Sequence, residues 1–82
     1  MITSNTDLQE LFDLSITAVS DVAPGEQFIV RDLFRGFEWN RIPKGYRTKL
    51  GGMFFAYATG SGSDTLESLD KTAQNQQRYK KK

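Results

Sequence analysis

Apolar residues in the first quarter of the chain recur at helical spacing. Leu8, Leu11, Phe12, Ile16 and Val19 form one stripe, which predicts a helix over residues 6–19. Thr6 and Gln9 have the spacing of a capping box, in which hydroxyl and amide reach each other's backbone N–H. Asp7 and Glu10 suit the positive end of the helix dipole. The pattern breaks at Pro24-Gly25, where a fixed φ is followed by a residue that tolerates positive φ. Gln27-Phe28-Ile29-Val30 is aromatic and β-branched and reads as a short strand. A short helix is expected over 31–36, with Leu33 and Phe34 inward and Gly36 at its C-terminus. Phe37, Trp39 and Ile42 then mark an apolar loop packed on the core.

Pro43 offers a helix start, because its missing N–H would be unpaired there anyway. Residues 44–59 read as the longest later helix, with Tyr46, Leu50, Met53, Phe54 and Tyr57 on its buried face. Arg47, Thr48 and Gly51 fall largely on another face, with Lys44 and Lys49 near its margins. Each glycine of Gly51-Gly52 costs about 1 kcal/mol relative to alanine inside a helix. Close approach of a neighbouring backbone is the expected compensation, and close approach to a ligand is the alternative. Residues 60–64, Gly-Ser-Gly-Ser-Asp, have the composition of a flexible linker. Residues 65–72 alternate as a strand, Gln74-Asn75-Gln76 suits a hairpin tip, and 77–80 would return with Tyr79 inward.

Helix, short strand, helix, helix and hairpin is the element order of a winged-helix domain. The expected fold is therefore α+β and winged-helix-like, with three helices, a short strand and a C-terminal β-hairpin as the wing. At 82 residues it reads as a single domain over 1–82, with a linker at 60–64 and a basic tail at 80–82. Its core is thin, and without cysteine it must fold on packing alone. The start of the chain lacks the charged and apolar regions of a signal peptide, and no apolar run is long enough to span a bilayer. A cytoplasmic protein is expected.

Charge changes the picture more than composition does. The first thirty residues contain no Lys or Arg but five acids: Asp7, Glu10, Asp13, Asp21 and Glu26. All 11 basic residues lie from Arg31 onward against the other five acids, so that part carries +6 and the first −5. Such asymmetry suggests a polyanionic partner, or two halves that attract each other. With neither His nor Cys, the usual zinc ligand sets, the Ser–His–Asp triad and Cys–His pairs are excluded. Gly60-Ser61-Gly62 follows a helix rather than joining strand to helix, so it is not a phosphate loop. No catalysis, no cofactor and no small-molecule substrate are expected.

The candidate surface is the basic stretch Arg31, Arg35, Arg41, Lys44, Arg47 and Lys49, which includes the start of the third helix. A helix-turn-helix points residues near that start at base edges. Arg47 has the fork to pair with a guanine, Lys44 and Lys49 suit phosphates, and Thr48 lies between them. The hairpin adds Lys71, Asn75, Arg78 and Lys80, which suit backbone or minor-groove contact. Double-stranded DNA is the expected partner, with a solvated surface as the plainer reading of both patches. A protein–protein module that forms a homodimer is the alternative, and an acidic-faced inhibitor is a third. Phe28, Phe34, Phe37, Trp39, Phe54 and Tyr57 all read as core, which argues against single-stranded nucleic acid.

The segments Phe28-Ile-Val-Arg-Asp-Leu-Phe34, Glu38-Trp-Asn-Arg-Ile-Pro43, Arg47-Thr-Lys-Leu-Gly51 with Phe54, and Gln77-Arg-Tyr-Lys80 carry a family resemblance. Over about residues 16–80 the chain resembles the short Firmicutes proteins of domain of unknown function 1413, common near plasmids, phages and other mobile elements. The resemblance implies a small bacterial winged-helix-like domain and no assigned activity. The acidic first helix is longer than in a minimal member, which suits a capping or dimerising element.

Overall fold

The computed structural model describes residues 2–82. Three α-helices, one 3-10 turn and three strands follow in the order α1 (Leu8–Val19), β1 (Gln27–Phe28), the 3-10 turn (Val30–Leu33), α2 (Gly36–Arg41), α3 (Lys44–Thr59), β2 (Leu66–Lys71) and β3 (Gln77–Lys81). The architecture is mixed α+β. Its antiparallel sheet has the order β1-β3-β2, which puts the last strand at the centre. Tyr79 pairs with Phe28 on one side and Ser68 on the other. The ladder between β2 and β3 is irregular between Ser68 and Lys71.

α1 buries the expected stripe, with Leu11 and Val19 buried and Ser15 buried between them. The Ser15 hydroxyl meets its own need by donating to the Phe12 carbonyl at 2.6 Å, a local bond that a helix interior permits. The expected capping box does not form. The helix begins at Leu8 with Asp7 at the cap, one position past Thr6. The Thr6 hydroxyl instead accepts from the Thr3 N–H at 2.8 Å, and the Gln9 amide donates to Asp13 at 3.0 Å. No basic residue lies in the last turn of α1. Lys81 supplies the missing cation from the far end of the chain: its ammonium donates to the carbonyls of Val19 and Val22 at 2.8 and 3.0 Å. This favours the negative end of the helix dipole.

The middle of the chain departs from its expected form. β1 spans only Gln27 and Phe28, and the 3-10 turn starts at Val30. The Ile29 N–H donates to the Asp32 carboxylate at 2.9 Å, closing that turn. Gly36 begins α2 rather than ending a helix, and the expected apolar loop is α2 itself. Phe37, expected in the core, faces outward on this six-residue helix, half exposed at 50%, with the Arg41 guanidinium 5.0 Å from its ring centroid. Ile2 is buried beneath this helix, its N–H on Glu38 and its carbonyl accepting from Arg41 at 2.8 Å.

α3 runs over the expected residues and serves both halves of the core. Leu50 packs with Ile2, Leu11 and Ile42. One turn later, Phe54 packs with Val19, Phe28, Leu66 and Tyr79. Tyr46, Met53 and Tyr57 flank this face half-buried, and Ala58 completes it. Phe54 is the hub of an aromatic cluster, edge-on to Tyr79 at 4.9 Å and to Phe28 at 6.2 Å between centroids. The segment 60–64 forms consecutive turns, in which the N–H of Gly62 bonds the Tyr57 carbonyl at 2.8 Å. An ideal Cβ on Gly62 would stand 2.5 Å from the Tyr57 ring, which is already held against Phe12 and Phe54. Gly62→Ala is therefore expected to destabilise the protein by about 1–3 kcal/mol, the usual cost of overpacking. Urea unfolding followed by circular dichroism measures it.

Candidate functional site

A groove of about 790 Å³ opens between the N-terminal half of α3, the 3-10 turn and the tip of the β2–β3 hairpin. Its cationic walls are Lys44 and Arg47 from α3, Arg31 from the 3-10 turn and Lys71 from the end of β2. α3 turns this face out because one turn takes 3.6 residues. Lys44, Thr48, Gly51 and Phe55 therefore fall on one side, while Leu50, Phe54 and Ala58 face the core. Phe55 stays 44% exposed on the groove side although its neighbour Phe54 is buried.

Arg47 is the most organised of these cations. Its Nε donates to the Ile42 carbonyl at 2.9 Å, and its guanidinium lies 5.4 Å from the Trp39 ring centroid. The two terminal nitrogens extend beyond that tether, so the fork is pre-oriented before any ligand arrives. The Thr48 hydroxyl donates to the Lys44 carbonyl at 3.3 Å. Asn75, with φ of 64°, turns the hairpin tip, and its N–H bonds the Thr72 carbonyl at 2.9 Å. The Gln77 side-chain amide donates to the Leu69 carbonyl across the hairpin, which holds the irregular stretch of β2.

Of the residues expected to form the site, the groove brings together Lys44, Arg47, Thr48, Lys71 and Asn75. It does not gather Lys49, Arg78 or Lys80. Lys49 lies about 140° around the helix from Lys44. Arg78 and Lys80 flank the inward Tyr79, so strand alternation turns them to the outer face of the sheet. There Arg78 donates to the Asp70 carbonyl at 3.0 Å and reaches Gln27 at 3.4 Å, while Lys80 stands opposite Glu67. Among the described residues, the hydrogen-bond acceptors of the Arg41, Arg47, Lys81 and Lys82 side chains are backbone carbonyls, not carboxylates. Of these four, Arg47 lines the groove, and its bond to the Ile42 carbonyl leaves its charge unneutralised.

Sequence reading passed over Phe55 and read Trp39 as core alone. Both line the groove. Phe55 carried a signal, since it lies one position beyond the buried stripe of α3. Trp39 carried none, because α2 is too short to show a period.

Tyr79 also lines this groove, and its side chain is fully buried. Among the described residues, its hydroxyl is the buried side-chain polar atom without a hydrogen-bond partner. Burial pushes its pKa from 10.0 to about 12. The folded state thus holds the phenol proton after the unfolded chain has released it. The associated stability is intact below about pH 10 and lost as pH rises through about 12. About 2–3 kcal/mol should disappear over that interval. Tyr79→Phe should remove this component when urea midpoints are compared along an alkaline series.

A three-stranded sheet backing a helix whose opposite side forms one wall of a cationic groove defines a small α+β domain. The chain belongs to the family described as Domain of unknown function (DUF1413), whose model matches residues 16–81. The match takes in α3, the hairpin and all four cations of the groove. No curated protein and no solved structure matches the chain. Among the described residues, no helix is long and apolar enough to cross a membrane.

Proposed function

We propose that this protein is a non-catalytic DNA-binding module of winged-helix type, acting as an accessory or regulatory protein in the cytoplasm. The observation that carries this reading is the convergence of Arg31, Lys44, Arg47 and Lys71 from three separate elements on one groove. Phosphate neutralisation supplies most of the affinity of such surfaces, and it needs cations spaced along a strand rather than one isolated charge. The sheet order and the helix–strand–helix–helix–hairpin succession agree with it, since that topology sets a hairpin beside an exposed helix. In this reading the backbone of a duplex runs between α3 and the hairpin. Lys44, Lys71 and Arg31 meet phosphates, and the outer ends of Arg47 meet a phosphate or a guanine edge.

The test is titration of a labelled mixed-sequence duplex at low salt, followed by anisotropy. Lys44→Gln and Arg47→Ala should weaken binding, and Lys80→Gln, on the outer face of the sheet, should change it little. Wild-type protein that leaves the duplex free at low salt overturns the proposal. Self-association is the second reading, favoured by the exposed Leu14 on the acidic helix, 41% accessible, and by Phe37. A salt-sensitive oligomer on size-exclusion chromatography, with no duplex affinity, would establish it instead.

A further inference from the structure

Three features of the groove floor work against the stability of the free protein. Gly51 and Gly52 sit mid-helix in α3, where glycine is the poorest non-proline choice. The expected excuse, a neighbouring backbone packed close, is absent: a Cβ built on either residue meets nothing within 4 Å. The third feature is the fully buried Tyr79, whose hydroxyl lacks a partner. A buried phenol normally finds an acceptor. All three residues line the same groove. Rules of local consistency are broken together chiefly where function requires it.

We infer that Gly51, Gly52 and Tyr79 form the seat for a DNA sugar–phosphate strand, brought against the bare main chain of α3, where its binding uncovers the buried Tyr79 hydroxyl and gives it a phosphate oxygen as acceptor. The inference rests on the DNA-binding reading and assigns that site its floor. Side chains at 51 and 52 would hold the strand away from the helix by about the width of a methyl group or more. Lys44, Arg47 and Lys71 then flank a strand whose depth the glycines set.

The test pairs thermal unfolding with duplex anisotropy on the full chain, using Gly51→Ala, Gly52→Ala, Gly52→Leu and Tyr79→Phe, with Lys44→Gln as the reference for electrostatic binding. Each Gly→Ala change should raise Tm by about 4–8 °C. The same change should weaken duplex binding about tenfold, and Gly52→Leu more. Tyr79→Phe should keep or raise Tm while losing affinity. Stability and binding moving in opposite directions is the signature, because a merely structural role would move them together. If the glycine and Tyr79 variants bind as wild type while Lys44→Gln binds weakly, the seat is wrong and the DNA reading stands. A fall in Tm for both Gly→Ala variants overturns the inference as well, since it reveals a packing role. Absence of wild-type duplex binding removes both proposals.

Discussion

Phe54→Ala is expected to cost the protein a large part of its stability at room temperature. Phe54 is fully buried and makes aromatic contacts with Phe28, Tyr57 and Tyr79, so its removal opens a cavity between α3 and every strand core position it touches. Such truncations cost about 3–5 kcal/mol. A domain of 82 residues has roughly 4–12 kcal/mol in total at the usual stability per residue. The core here is thin, and no disulfide reinforces it. Far-ultraviolet circular dichroism with urea titration would show a lost or much lowered midpoint. The neighbouring Phe55→Ala is the control. Phe55 is 44% exposed and faces the groove, so its truncation should shift stability by only about 0.5 kcal/mol. A midpoint for Phe54→Ala close to wild type would mean that the two layers of the core do not meet at this ring.

The second large effect is on salt dependence. If Arg31, Lys44, Arg47 and Lys71 each neutralise one phosphate, log affinity falls against log salt with a slope of about −3.6. Duplex affinity should then drop about 150-fold between about 50 and 200 mM monovalent salt. Removing two of the four charges, as Lys44→Gln with Arg47→Gln, should halve the slope, leaving a drop of about 12-fold over the same range. The variant would therefore bind more weakly at low salt and also respond less to added salt. Both changes should hold for unrelated duplex sequences, because phosphate contacts carry no sequence information. A single variant at Lys49, about 140° away on α3, should leave the slope nearly unchanged. An unaltered slope in the double variant would show that the groove is not where the duplex lies.

Gly62 and Gly52 show how differently one residue type is used in the same fold. At Gly62 the aromatic ring of Tyr57 occupies the space a side chain would need. At Gly52 that space is open, and local helix physics favours alanine. The sequence places Gly62 in a flexible linker and leads us to expect a neighbouring backbone against Gly52.

Residues close in sequence determined much of this protein. The stripe of α1, the start of α3 after Pro43, its inward Leu50, Phe54 and Tyr57, and the hairpin with Tyr79 inward all follow from periodicity and turn chemistry, which act over a few residues. Only the tertiary structure decided the rest. β1 is two residues long and exists by pairing with Tyr79 and Lys80, more than fifty residues away. α2 has six residues, too few to display a period, and the fold turned Phe37 outward and Gly36 to its start. The groove likewise depends on where the hairpin tip comes to rest beside α3. That position selected Arg31, Lys44, Arg47 and Lys71 from a longer run of basic residues, and strand alternation sent Arg78 and Lys80 to the other face. Local pattern sets which way a side chain points from its own element; which elements meet is settled by the shared burial of Phe28, Phe54 and Tyr79.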